Sequence, residues 1–166
     1  NPFSGSGMQA VRKLERLGHN VGLHFDASLY DDEDTNLVAA LENECHTMEQ
    51  VTGSPITVFS LHRPSRDELD RDLIVPGRTN AYERRYFREM GYCSDSRGDW
   101  HHGHPLEHPA VEAGRALQLL THPIWWVGEE NSGVQSKLQR VLEQRSTLLE
   151  RETAAHCSAF QPLDRR

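Results

Sequence analysis

The stretch NVGLHFD, residues 20–26, is a short apolar run that ends in polar side chains. Its length and composition predict a buried strand over residues 20–25. The β-branched and aromatic run ITVF, residues 56–59, predicts a second strand. A helical pattern separates the two strands. This alternation favours a parallel sheet covered by helices, either open or closed as a barrel.

Helix signals surround these strands. Ser4 or Ser6 is predicted to cap a first helix that ends at Gly18. Asp34 is predicted to cap a second helix that ends at Gly53. The further predicted segments are a polar loop over 62–79, a short helix from Asn80 to Met90, a strand over 92–95, a loop over 98–109, a strand over 116–120 and a last helix opened by Asn131 or Ser132.

Length and composition exclude several classes of function. The 166 residues suffice for one domain with a core, and the net charge of −7 argues against a nucleic-acid partner, which needs a basic surface. No run approaches the roughly 20 apolar residues of a membrane helix, so no membrane insertion is expected. Because the chain opens at Asn1 without an initiator Met, we expect its native N-terminus to lie upstream.

The cysteines indicate a compartment. Cys45, Cys93 and Cys157 are odd in number and widely spaced, with neither a disulfide framework nor a CxxC metal pair. This pattern predicts reduced thiols in a cytoplasmic protein.

Histidines and other polar residues follow the predicted strands, where parallel α/β folds build their active sites. Four groups occupy such positions: His24 with Asp26, His62 with Arg63, Asp95 with Asp99 and Trp100, and His122.

His24 and Asp26 are two residues apart on an extended segment, so their side chains are expected to point the same way. An imidazole and a carboxylate on one face are plausible ligands for Zn²⁺ or a similar divalent ion. Taken alone, the pair favours the alternative, a polar strand end in which Asp26 caps the following turn.

Pro64 is predicted to bias Arg63 toward an extended backbone, which would hold the guanidinium steady for orienting a carboxylate. The alternative is an arginine in a surface ion pair. His122 emerges from an apolar strand, where a nearby carboxylate suits it to general acid work. Its alternative is a core histidine that binds backbone groups.

Asp95 and Asp99 place two carboxylates in a glycine-containing loop beside Trp100, whose ring can stack on a sugar or cover the end of the barrel. Three features are predicted to be structural: a solvated loop that carries His101, His102, His104 and His108, packing by Trp125 and Trp126 with one ring reaching the cleft, and an exposed acidic turn at residues 31–34.

Taken together and in order, these residues resemble the polysaccharide deacetylase family, the NodB-homology domains of carbohydrate esterase family 4. The motifs that carry the resemblance are GHNVGLHFD at 18–26, HRP at 62–64, DSRGDW at 95–100 and LLTH at 119–122. Together with the strings HRPS, SDS and LTHPxWW, they are similar to a divergent branch of the family over roughly residues 1–127.

The resemblance implies an α/β fold, a partial (β/α) barrel of the NodB-homology or glycoside hydrolase-deacetylase type. Residues 1–128 would form the barrel portion without its first strand, and residues 129–166 would form an amphipathic helix that packs on the same domain.

The resemblance also implies roles for the site residues. A divalent metal, zinc in the first instance, would be held by His24, and Asp26 or His62 would replace the family's second histidine, because Ser28 stands at that position. The other implied roles are His122 as general acid supported by Asp95 or Asp99, Arg63 orienting a catalytic-base Asp expected upstream of Asn1, Leu119 lining the acetyl pocket, and Trp100 and Trp125 contacting substrate.

The implied activity is removal of an N-acyl group, typically acetyl, from an amino sugar or polysaccharide. Two alternatives stay open. One is a non-catalytic saccharide-binding or scaffold domain of the same fold, which Ser28 favours. The other is an amidohydrolase that acts on a small non-sugar amide.

Overall fold

The chain is a mixed α/β protein with short parallel strands. The computed structural model describes residues 4–30, 36–70, 73–101, 103–126 and 132–161. The chain divides into two compact units: unit 1 is Asn1–Met90 and unit 2 is Gly91–Arg166. The described strands form two open sheets and no closed barrel.

Unit 1 is built on a three-stranded parallel sheet. Its described elements are α1 (Gly5–Arg16), β1 (Leu23–Phe25), α2 (Leu37–Thr52), β2 (Val58–Leu61), α3 (Arg66–Asp70), β3 (Thr79–Asn80) and α4 (Arg84–Phe87). The strand order is β1-β2-β3, and the register pairs His24 with Ser60. The two predicted strands of unit 1 are therefore confirmed as parallel neighbours.

The core of unit 1 lies where β1 and β2 pack against α2. Phe25, Leu41 and Phe59 are fully buried in it. Along β1 burial alternates, because successive side chains of a strand point to opposite faces. His24 is thus exposed between Leu23 and Phe25, on the face away from the core.

The helix ends of unit 1 follow ordinary capping chemistry. The Oγ of Ser4 accepts a hydrogen bond from the backbone N of Gly7 at 3.1 Å. Of the two predicted caps, Ser4 and Ser6, Ser4 is therefore the N-cap of α1. The cap of α2 is Asn36 and not Asp34 as predicted, and the Oδ1 of Asn36 accepts from Val38 N at 3.1 Å. Gly53 ends α2 in the left-handed conformation, with φ 75°, as predicted.

The predicted loop over 62–79 was wrong in part, because it contains α3 and leads into β3. Ser65 and Glu68 form a reciprocal capping box at the start of α3, with Ser65 N donating to Glu68 Oε2 at 2.5 Å and Glu68 N donating to Ser65 Oγ at 3.2 Å. Asn80 was wrongly predicted as a helix cap. It is a buried residue of β3 whose Oδ1 accepts from Tyr82 N at 2.9 Å.

Unit 2 is built on a two-stranded parallel sheet. Its described elements are β4 (Gly91–Ser94), α5 (Pro109–Glu112), β5 (Leu117–Leu120) and α6 (Val134–His156). Both strands and the last helix lie in the segments predicted from the sequence, but the N-cap of α6 is Gly133 and not Asn131 or Ser132. No described residue of α6 is buried, and Leu142 and Leu149 of its apolar stripe are exposed.

The loop before β5 contains two short helical turns that begin with His-Pro. The Nδ1 of His104 accepts from Leu106 N at 3.3 Å, and the Nδ1 of His108 accepts from Ala110 N at 3.1 Å. These two histidines are caps and not merely solvated side chains, which corrects the prediction for this loop.

Other predictions concern cysteines, membranes and parts of the chain that are not described. All three cysteines are free, and burial raises the pKa of Cys45 and of Cys93. Within the described ranges, no helix combines the length and apolar character needed to cross a membrane. Three predicted features lie outside the described residues: the acidic turn at 31–34 that includes Asp34, His102, and Asn131.

Candidate functional site

In unit 1, three polar side chains form a chain of hydrogen bonds on the face of the sheet away from the core. The Nδ1 of His24 lies 2.8 Å from the Oγ of Ser60, and its Nε2 lies 3.0 Å from the Nδ1 of His62. The two imidazole rings meet nearly at right angles, with an interplanar angle of 89°. The structure thus brings together two of the three predicted metal ligands.

His24 and His62 supply two nitrogen donors of the kind that binds divalent cations, which is half of a tetrahedral ligand set. In a tetrahedral zinc site, with Zn–N distances of about 2.0–2.1 Å, two ligand nitrogens stand about 3.3 Å apart. The two facing nitrogens here are 3.0 Å apart and share a hydrogen bond, so both could bind one ion after the bridging proton has left and the distance has increased slightly. Among the described residues, no group of three or more His, Cys, Asp or Glu side chains has a metal-ligand arrangement.

Asp26, the third predicted ligand, is engaged locally. Its Oδ1 accepts from the Oγ of Ser28 at 2.6 Å and from the backbone N of Ser28 at 3.1 Å. The Ser28 hydroxyl is the main reason that the pKa of Asp26 lies below its ordinary value. Asp26 therefore caps the turn Ala27–Tyr30, which is the alternative that the sequence favoured for this residue.

An open cleft of ≈ 520 Å³ lies beside these residues in unit 1. Three of the predicted site residues, Asp26, His62 and Arg63, line it together with Glu68. The cleft is polar and carries both signs of charge.

Arg63 does not adopt the extended backbone that Pro64 predicted. Its φ is 47°, in the left-handed region that non-glycine residues rarely occupy. The chain must turn sharply here, because the sheet ladder continues to His62 N, which donates to Phe25 O at 2.7 Å, and Ser65 already caps α3. Strained backbone of this kind clusters at functional sites.

In unit 2, Asp95 and His122 form a close pair. Asp95 is 4% exposed, its Oδ1 lies 2.6 Å from Nδ1 of His122, and its Oδ2 accepts from the backbone N of His122 at 3.0 Å. The imidazole is therefore fixed in position and half-exposed. Because Nδ1 binds the carboxylate, Nε2 is the nitrogen that can exchange a proton with a substrate.

The two carboxylates predicted near His122 differ in their surroundings. Asp95 binds His122, and it also accepts from Nε1 of Trp126 at 3.4 Å. Asp99 is exposed, and its Oδ1 accepts from the backbone N of Trp100 at 2.8 Å. Of the two, Asp95 is thus the residue that supports the imidazole.

The predicted substrate-binding residues of unit 2 have mixed surroundings. Leu119 is 48% exposed on β5. The ring of Trp100 packs edge-on against His104, with centroids 6.0 Å apart. Trp125 is partly buried, and its backbone O accepts from Nζ of Lys137 at 2.5 Å, so it joins the end of β5 to α6.

Sequence reasoning missed Ser60 and the contact of Trp126 with Asp95. A signal for Ser60 was present, because it is two residues before His62 and so shares its face on an extended strand. Trp126 carried no such signal, because its contact depends on the turn Pro123–Trp125 that follows β5.

No protein-family model, no curated protein and no solved structure matches this chain. The chemistry of the two side-chain groups described above therefore carries the functional assignment.

Proposed function

We propose that the chain belongs to a metal-dependent hydrolase that removes an N-acyl group, acetyl in the first instance, from an amino sugar or polysaccharide. Its fold would be a partial (β/α) barrel of the NodB-homology type. The observation that carries the proposal is the Asp95–His122 pair, in which a buried carboxylate binds Nδ1 of an accessible imidazole at 2.6 Å.

Amide hydrolysis requires an acid, because the departing amine must be protonated as the C–N bond breaks. Asp95 holds the proton on Nδ1 of His122, so the imidazolium can donate from Nε2 and remain paired with a carboxylate. The backbone N of His122 fills a second lone pair of Asp95, which fixes the carboxylate in turn. Both roles follow the logic of an oriented acid–base histidine.

The metal in this proposal is a divalent cation, zinc in the first instance, held by His24 and His62. When bound, it would polarise the amide carbonyl and lower the pKa of a bound water toward about 7. Arg63 faces the same cleft and can orient a carboxylate near the substrate. Trp100, Leu119 and Trp125 are proposed to contact the sugar or its acetyl methyl group.

The test is acetate release from oligomers of N-acetylglucosamine by the full-length protein. We expect His122→Ala to reduce turnover by about 10²–10⁴-fold, the usual effect of losing a general acid. His156→Ala is the matched control, because His156 is an exposed histidine of the same unit on α6.

Near-full acetate release by the His122→Ala variant would overturn the assignment of the acid. Simple N-acetylated amides are assayed in parallel. Faster hydrolysis of these amides than of the sugar oligomers would redirect the proposal to a small-amide hydrolase.

A second candidate function is a non-catalytic saccharide-binding domain of the same fold. The observation that favours it is the engagement of Asp26 by both donor groups of Ser28, which removes a carboxylate from the predicted ligand set. Metal analysis separates the two functions. Stoichiometric divalent metal that is lost on His24→Ala supports the hydrolase, whereas sugar binding without bound metal supports the binding domain.

A further inference from the structure

We propose that Ser60 is a positioning residue that sets the tautomer of His24 for metal binding. Its hydroxyl would accept the Nδ1 proton of His24, so that Nε2 of His24 keeps a lone pair for a divalent cation. In the metal-free protein Nδ1 of His62 would donate to that lone pair, and it would become the second ligand once this proton has left. This inference rests on the proposed metal-dependent function and assigns a role to a residue outside the predicted site.

The register of the sheet creates the contact. His24 on β1 pairs with Ser60 on β2, so the two side chains are direct cross-strand neighbours. His62 follows two residues after Ser60, and its backbone N donates to Phe25 O at 2.7 Å, which extends the ladder by one step. Ser60 on β2 and His62 just after β2 thus contact the two nitrogens of the His24 ring.

The distances allow one ring to serve both contacts. Nδ1 of His24 is 2.8 Å from the Ser60 hydroxyl, and Nε2 is 3.0 Å from His62. A neutral imidazole has one protonated nitrogen and one lone pair, and only the lone pair can bind a metal. With the proton on Nδ1 and shared with Ser60, Nε2 of His24 is the nitrogen available as a ligand.

A partner for the second nitrogen is a general feature of metal-binding histidines. The outer hydrogen bond fixes the ring orientation and the tautomer, and its loss typically lowers metal affinity by about 10–100-fold. Ser60 lies beside the fully buried Phe59, but its own side chain is on the opposite face of β2. Removal of its hydroxyl therefore leaves the core of unit 1 intact.

The experiment is titration of the metal-free, full-length protein with Zn²⁺, read by calorimetry against a competing chelator. We expect Ser60→Ala to weaken Zn²⁺ binding by about 10–100-fold. Ser60→Thr keeps the hydroxyl on a β-branched strand residue and is expected to retain affinity within about threefold. Ser6→Ala on α1 is the matched control, because Ser6 is an exposed serine of the same unit.

The tautomer supplies a readout that a merely structural role would not change. Long-range ¹H–¹⁵N NMR spectra of the Zn²⁺-loaded protein are expected to show the His24 proton on Nδ1. In Ser60→Ala the metal-free ring is expected to populate both tautomers.

Three outcomes would overturn the inference. Equal Zn²⁺ affinity of Ser60→Ala and the wild type would reject the role of Ser60 and leave the proposed hydrolase standing. A proton on Nε2 of His24 in the Zn²⁺-loaded protein would also reject the role of Ser60 and leave the proposed hydrolase standing. A wild-type protein that binds no divalent cation would reject both the inference and the metal-dependent function.

Discussion

Asp95 accepts hydrogen bonds from the ring and the backbone of a single residue, His122, and this double contact makes its carboxylate hard to replace. Asp95→Asn presents an amide NH₂ to Nδ1 of His122, which favours the wrong tautomer of the ring. We expect acetate release to fall by about 10²-fold or more, with the folded state retained.

Asp99→Asn provides the comparison for that variant. Within the described residues, the hydrogen bond found for the Asp99 carboxylate comes from the neighbouring backbone N of Trp100. We therefore expect a clearly smaller loss of acetate release than in Asp95→Asn. Steady-state kinetics and far-UV circular dichroism of both variants measure the difference. An equal loss in the two variants would show that the geometry of Asp95 is not what supports the acid.

The backbone of Arg63 gives a prediction about stability. At φ 47° a glycine is unstrained, whereas an alanine keeps the unfavourable contact of its Cβ with the backbone. Both Arg63→Gly and Arg63→Ala remove the guanidinium, so their difference isolates the backbone conformation. We expect Arg63→Gly to be more stable than Arg63→Ala by about 1 kcal/mol in urea unfolding. An alanine variant of equal or greater stability would contradict a left-handed Arg63.

At the residue scale, the sequence could point to His62 and His122, because each is a polar residue close after an apolar strand. His24 lies inside β1, where the alternation of burial exposes it. For Asp26 the sequence allowed two interpretations, a metal ligand and a cap of the following turn, and it could not place Arg63 in the left-handed region. Those outcomes depend on how the chain leaves each strand, through the Ser28 contacts and the capping box of α3. Local turn geometry of this kind overrides dipeptide preferences such as that of Arg63-Pro64.

At the scale of elements, the connection between α2 and β2 is held by Glu49. Its Oε1 accepts from Nη1 of Arg78 at 2.9 Å and from the backbone N of Ile56 at 3.0 Å. The same Arg78 nitrogen donates to the carbonyl of Ile56. The Arg78 guanidinium is the main cause that lowers the pKa of Glu49 from 4.5 to about 2.

Because the pKa of Glu49 is lower in the folded protein, its ionised form stabilises the fold above pH 4.5, and this contribution is lost as the pH falls through about 2. We expect the stability difference between the wild type and Glu49→Gln to shrink as the pH decreases from about 5 to about 2. Urea midpoints across that range measure it, with the exposed Glu89→Gln as control. A difference independent of pH would contradict the ion pair with Arg78.

Elements with strong local signals were predicted correctly. The two long helices of unit 1 were predicted with their terminal glycines and the first with its Ser4 cap, whereas the cap of α2 is Asn36 and not Asp34. The strands β4 and β5 lie where apolar runs were found. The short elements α3 and β3 were missed, because a helix of five residues and a strand of two have too few positions to show a period. The pairing of β3 with β2 comes from tertiary packing around the buried Asn80.

At the scale of the whole molecule, buried apolar side chains are distributed unevenly. The described core of unit 1 includes Phe25, Leu41 and Phe59, whereas the buried apolar residues described in unit 2 are Cys93 and Ala110. Local unfolding, which exposes backbone amides to exchange, is easier where less apolar surface is buried. We therefore expect amides of β4 and β5 to exchange at least about 10-fold faster than those of β1 and β2 in native-state hydrogen exchange. Equal protection of both sheets would contradict this difference.

The most direct test of the metal-dependent hydrolase is acetate release from N-acetylated sugar oligomers before and after removal of divalent metal from the full-length protein. The proposed function predicts that dialysis against a chelator abolishes acetate release, and that one equivalent of Zn²⁺ restores it in the wild type but not in His24→Ala. Acetate release that continues unchanged in protein shown by elemental analysis to be metal-free would contradict it.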